Sequence, residues 1–272
     1  MNIIKACIIA VSMYSKIPMP QFEWEEKSMR YALAFLPLPG FIIGVLQLVL
    51  FYLWQQSGLS VGIYAALATA LPIAVTGGIH MDGYCDTIDA LSSHQSKERR
   101  LEILKDANVG AFAVIWAVLY FVLYYGAWSS IASKAMQTDS VMPINQALHA
   151  NTTVWLIAAG YVTSRALSGL AAVFFLNANK KGSLAAFSGS AGKGFVCTVL
   201  ILVLMAAGIF RVILLPQTGV LILAGELLFF FYYHRMSKNC FGGITGDLAG
   251  WFLQCEEILV LYLTVISTSV IQ

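Results

Sequence analysis

Charge is what this chain of 272 residues has least of: Asp, Glu, Lys and Arg make up 11% of it, against about 25% in an ordinary soluble domain. With 59% of its residues hydrophobic, the chain fits a membrane rather than water. The scarcity is also local. From Tyr31 to Met81 no Asp, Glu, Lys or Arg occurs in 51 consecutive residues, enough to cross a bilayer twice. Cysteine pairing is lacking too. Cys7, Cys85, Cys197, Cys240 and Cys255 are odd in number, far apart and without a C-x-x-C, so neither a disulfide framework nor a thiolate metal site is expected. A net charge of +2 and no basic stripe among aromatics leave no nucleic-acid footprint, so no nucleic acid is expected as a partner.

The apolar segments give the layout. Ala6 to Tyr14 is short, contains Ser12 and runs into Lys16 and Pro18 without a small-residue cleavage site. It reads as a retained interfacial helix rather than a signal peptide. Apolar stretches at about 32–54, 61–79, 109–130, 151–176, 195–214, 220–235 and 248–270 predict an all-α polytopic bundle with about seven spans. No repeat and no linker divides it, so residues 1–272 form one polytopic membrane domain. Cations collect in segments 16–30, 80–107, 177–194 and 235–247, while the opposite side keeps only Lys134 and Arg211. Short cytoplasmic loops retain Lys and Arg, so the loops at about 80–107, 177–194 and 235–247 are expected in the cytoplasm, with the chemistry. Glycine-rich GSLAAFSGSAGKG at 182–194 is not a phosphate-binding P-loop, because Phe187 and Gly194 stand where Gly and Ser or Thr are needed.

Three polar blocks carry candidate chemistry. In GGIHMDGYCDTIDA, residues 77–90, Asp82, Asp86 and Asp89 stand at i, i+4 and i+7, sharing a helix face. Three like charges at a membrane boundary call for a positive partner. Hard carboxylate oxygens suit Mg²⁺ or Mn²⁺, with positions left for substrate phosphates; a solvated face paired with basic residues is the plainer alternative. His80 could bind a metal or substrate, or move a proton. Gly77, Gly78 and Gly83 permit positive φ or close approach. In RRLEILKDANVGAF, residues 99–112, Arg99, Arg100 and Lys105 offer an anion clamp and Asp106 a further carboxylate. In GGITGDLAG, residues 242–250, Gly242, Gly243 and Thr245 precede Asp247, which either joins the site or caps the last span. Arg165 and Glu257 lie inside apolar spans and form a candidate pair.

Taken together, KIPMP at 16–20, PLPGFIIG at 37–44, the three polar blocks and Glu257 resemble the cobalamin synthase family, the adenosylcobinamide-GDP ribazoletransferases, over nearly the whole chain. Two positions depart from the family's pattern: Ala90 replaces the usual Gly, and Asn108 a frequent Arg. The resemblance implies a multi-pass enzyme of the bacterial inner membrane with its active site facing the cytoplasm. It also implies a Mg²⁺-dependent transfer from adenosylcobinamide-GDP to α-ribazole or its 5′-phosphate, giving adenosylcobalamin or its phosphate and GMP. Asp82, Asp86 and Asp89 would hold the metal. The catalytic set is His80, Asp82, Asp106 and Asp247, and Arg99, Arg100, Lys105, Arg165, Gly242, Gly243 and Thr245 would bind substrate. Which group takes the acceptor's proton stays open, as does the oligomeric state. Two rivals remain. A CDP-alcohol phosphotransferase would need Ala-Arg where Asp86 and Thr87 stand, and a cation transporter would need its acids at mid-membrane.

Overall fold

The computed structural model describes residues 2–20, 26–136, 152–179, 184, 189 and 191–270. Eleven α-helices and no strand occur among the described residues. They are α1 (Asn2–Tyr14), α2 (Glu26–Ala32), α3 (Pro37–Ser57), α4 (Val61–Thr76), α5 (Ile79–Ser92), α6 (Lys97–Ile103), α7 (Ala111–Met136), α8 (Thr152–Phe174), α9 (Lys193–Leu214), α10 (Pro216–Phe241) and α11 (Gly246–Val270). The chain is thus an all-α, multi-pass membrane bundle.

Local chemistry sets the breaks. Pro37 sits in the first turn of α3, where its missing N–H costs nothing, and Gly58 ends the helix at φ 68°. The Ser60 side chain accepts from the Ile63 N–H and starts α4. Gly77 and Gly78 follow α4 at φ 67° and 82°, and two successive left-handed residues turn the chain by 94° into α5.

Five helical runs are long and apolar enough to cross a membrane: Met29–Ser57, Ala111–Met136, Thr152–Phe174, Lys193–Leu214 and Gly246–Ser269. The bent pair α4–α5 makes a sixth only when taken together. Helix α10, expected as a span, has the length but not the apolarity, carrying Glu226 inside it and His234, Arg235 and Lys238 near its end. By length and composition the count is therefore five or six, where the sequence predicts about seven.

Helix α8 is the axis of the bundle, 89% buried along its most apolar stretch, whereas α9 is 22% buried. Outward residues such as Ile115, Val118, Leu202, Ile213 and Leu228 are exposed, the pattern of a lipid-facing surface. Small residues let α3 approach α8. A Cβ on Gly40 would lie 2.1 Å from the Tyr161 carbonyl oxygen, and one on Gly44 2.8 Å from that of Ala158. Helix α1 is more than an interfacial float: Ala6, Ile9, Ala10 and Val11 are buried, and the Lys16 N–H donates to the Val75 carbonyl at 2.7 Å.

Candidate active site

After the 94° bend, α5, with three aspartates in its 14 residues, turns away from α4 and packs against α11 and α7. Glycine makes the α5–α11 crossing. A Cβ on Gly83 would sit 2.9 Å from the Asp247 Cα, and one on Gly250 3.0 Å from the His80 carbonyl oxygen. Backbones this close bring Asp247 beside an acid pair more than 150 residues earlier. The Asp86 carboxyl is pushed up to about 6, by burial first and then by the negative charges of Asp82, Asp247 and Asp89. Neither Asp82, Asp86 nor Asp247 takes part in an ion pair among the described residues. Among the described residues, the convergence of charge is therefore not compensated by an ion pair with a protein cation.

Asp89 leaves the cluster for another task. Its carboxylate accepts from the Gly110 N–H at 2.6 Å and the Ala113 N–H at 2.9 Å, capping the start of α7. A Cβ on Gly110 would collide with that carboxylate at 2.6 Å. Among the described residues no group of three His, Cys, Asp or Glu side chains is gathered to hold a metal ion. The three aspartates expected to share one ion thus divide into a pair facing the cluster and a helix cap.

Thr245, not Asp247, caps α11: its hydroxyl accepts from the Leu248 N–H at 3.2 Å. The Asp247 carboxylate accepts from its own backbone N–H and, at a long 3.5 Å, from that hydroxyl. Gly242 closes α10 at φ 77°. Gly243 permits a contact no side chain would allow, since its Cβ would lie 2.3 Å from the Leu176 carbonyl oxygen. Around it the Ile244 N–H donates to Leu176 at 2.7 Å and the Ala178 N–H to the Ile244 carbonyl at 2.9 Å. This bridge fastens the end of α8 to the start of α11.

The basic block is only partly recruited. Lys105 lines a cavity together with Thr245 and Asp247. Arg99 is exposed and pairs with Glu102 at 2.6 Å, while Arg100 reaches the Cys240 carbonyl at 3.5 Å, docking α6 on the end of α10. Asp106 is exposed; the Asn108 N–H and side-chain amide donate to it at 3.0 and 2.8 Å and hold its carboxyl below the usual range. Both hydrogen bonds stay within its own turn. His80 is buried, stacked on Tyr14 at 6.1 Å between ring centres, and its Nε2 has no partner among the described residues. Half of the 177–194 loop lies outside the described residues.

Arg165 and Glu257 do pair, both 1% exposed, and the guanidinium also donates to the Tyr161 carbonyl at 3.2 Å and Ser164 Oγ at 3.0 Å. The pair joins α8 with α11, while Arg165 Nε and Nη2 and Glu257 Oε2 have no partner among the described residues. A second buried pair was not anticipated. Arg211, expected at the far loop, is 0% exposed and bonds Glu226 at 2.8 Å, Thr163 and the Leu156 carbonyl. Opposite charges inside the two adjoining apolar stretches were its signal.

A family profile described as Cobalamin-5-phosphate synthase matches residues 6–265. An adenosylcobinamide-GDP ribazoletransferase of Lachnoclostridium phytofermentans is 44% identical over 263 residues, covering 97% of this chain and 94% of its own. Proteins of the same name from Clostridium perfringens and Listeria monocytogenes are each 31% identical, covering 93% and 96% of this chain and 94% and 98% of theirs. No solved structure matches.

Proposed function

Since the chain belongs to the cobalamin-5-phosphate synthase family, we propose that it joins adenosylcobinamide-GDP to α-ribazole or its 5′-phosphate and releases GMP. The observation carrying this reading is the meeting of Asp82, Asp86 and Asp247 at one end of the bundle, across the Gly83 contact and with no ion pair to a cation among the described residues. A pyrophosphate donor brings still more negative charge, so such a site needs a divalent ion. Mg²⁺ commonly takes one or two carboxylates and completes its shell with water and substrate phosphate. A pair of acids one helical turn apart fits that habit. Asp82 and Asp86 would hold the ion, and Asp89 would not. Once bound, the ion would neutralise charge on the pyrophosphate and the departing GMP.

The rest is done by the chain. An acceptor hydroxyl attacks the phosphorus attached to cobinamide, forming a P–O bond as the P–O bond to GMP breaks. Asp247, whose carboxylate is not spent on capping, takes the hydroxyl proton. Asp106 is turned to Asn108, and His80 is stacked under α1, so both are poorer acceptors. The site faces the cytoplasm of a bacterial inner membrane, the side on which the cationic loops remain. Purified protein given both substrates and Mg²⁺ should release GMP, and EDTA should stop it. No GMP with Mg²⁺ present would end this reading.

A further inference from the structure

Two recesses adjoin the acids and share no lining residue. One, of about 430 Å³, opens at the α4–α5 elbow and is walled by Ile73, Met81, Cys85 and Phe121 beside Asp82. The other, of about 310 Å³, lies between α6 and the 242–247 turn, with Asp247 at its edge. Leu101, Leu104 and Ile244 give it an apolar wall, and Lys105, Asn177 and Thr245 give it polar groups. Its frame is already built, because the paired backbones at Leu176–Ala178 and Ile244 hold one wall against the other.

We propose that this second cavity is the seat of the acceptor nucleoside. The inference rests on the reaction proposed above and adds which substrate goes where. Small-ligand cavities begin at about 300 Å³, so this one has room for a single base and sugar but not for a macrocycle carrying a nucleotide. Leucine and isoleucine suit a flat base, and the amide and hydroxyl suit ribose. Lys105 suits a 5′-phosphate when the acceptor carries one. Seated there, the sugar hydroxyl lies on the Asp247 side of the cluster and its proton passes to that carboxylate. The corrinoid donor, too large for either recess, is left to lie outside them with its pyrophosphate toward Asp82.

Steady-state kinetics on the full chain in nanodiscs tests the seat. Leu101→Trp fills the cavity and should raise KM for α-ribazole about tenfold, with KM for adenosylcobinamide-GDP within about twofold of wild type. A rise in the donor's KM, or no change in either, overturns the seat. A labelling measurement decides the matter should that variant fail to fold. Lys105→Cys, in a cysteine-free background, should react with maleimide several times more slowly when α-ribazole is present. Protection by the donor alone, or by neither, overturns the proposal. Wild-type protein that releases no GMP removes the functional reading and the seat with it, whereas GMP release with a donor KM shift removes the seat alone.

Discussion

At the scale of single residues, the acids of one helix differ because their surroundings do. Asp82→Asn removes charge at nearly constant volume and should cut GMP release by roughly two orders of magnitude or more, with membrane insertion unchanged by fractionation. Asp106→Asn should leave turnover close to wild type, since the carboxylate it alters serves only its own turn. Asp89→Ala should show mainly as lost stability. It strips a cap from the Gly110 and Ala113 N–H groups, worth about 1 kcal/mol, and a lowered melting temperature in detergent checks this. Asp86 makes stability depend on pH. Its folded carboxyl is raised to about 6 from 3.8, so between about pH 4 and 6 the folded state holds more protons than the unfolded one. Metal-free protein should therefore lose stability as pH rises through that window. Asp86→Asn should flatten the slope, which thermal melts across pH would register. The sequence made the acids legible as a group, because i, i+4 and i+7 is a helical face. It could not tell cap from cluster, because Asp89's partners lie 21 and 24 residues away on another helix.

At the scale of elements, two contacts between distant helices decide the site. The α5–α11 crossing needs Gly83. Gly83→Ala drives a methyl into the Asp247 backbone and should reduce turnover at least about tenfold while the protein still inserts. Gly126→Ala, where an added Cβ meets nothing within 4 Å, is the control and should keep activity. The buried Arg165–Glu257 pair ties α8 to α11. Removing one member leaves a lone charge in an apolar interior, costing about 3–5 kcal/mol. Arg165→Met should accordingly melt far below wild type, and Arg165→Met with Glu257→Met should recover much of the loss. Coupling near zero in that double-mutant cycle would show that the pair contributes nothing. The sequence offered this pairing through two ionisable residues inside apolar spans. The Arg211–Glu226 pair had the same signature, but Arg211 sits close to a span end and so read as a loop cation.

At the scale of the whole molecule, every element of the site lies at one end of the bundle. The ends of α4, α8 and α10 meet the starts of α7 and α11 there, through α5, α6 and the Asn177–Ile244 bridge. Lys134, Thr152 and Thr268 line a separate cavity with Leu214 and Leu215. In a cysteine-free background, Ser96→Cys should react with a membrane-impermeant maleimide only in inverted vesicles, and Leu59→Cys only in intact cells. Labelling of Ser96→Cys from outside would reverse the proposed orientation.

What the sequence determined by itself is the class of protein and the chemistry it carries: long uncharged runs admit only helices that cross a bilayer, and acids at helical spacing beside glycine need a counter-charge. Both are local properties, set by composition and by a period of 3.6 residues. The tertiary structure decided which acids meet. It sent Asp89 to α7, left Asp106 in its own turn, brought Asp247 across a glycine contact to Asp82 and Asp86, and enclosed a cavity beside them. Those outcomes depend on how closely two backbones approach, a distance fixed by helices far apart in the chain that no local spacing records.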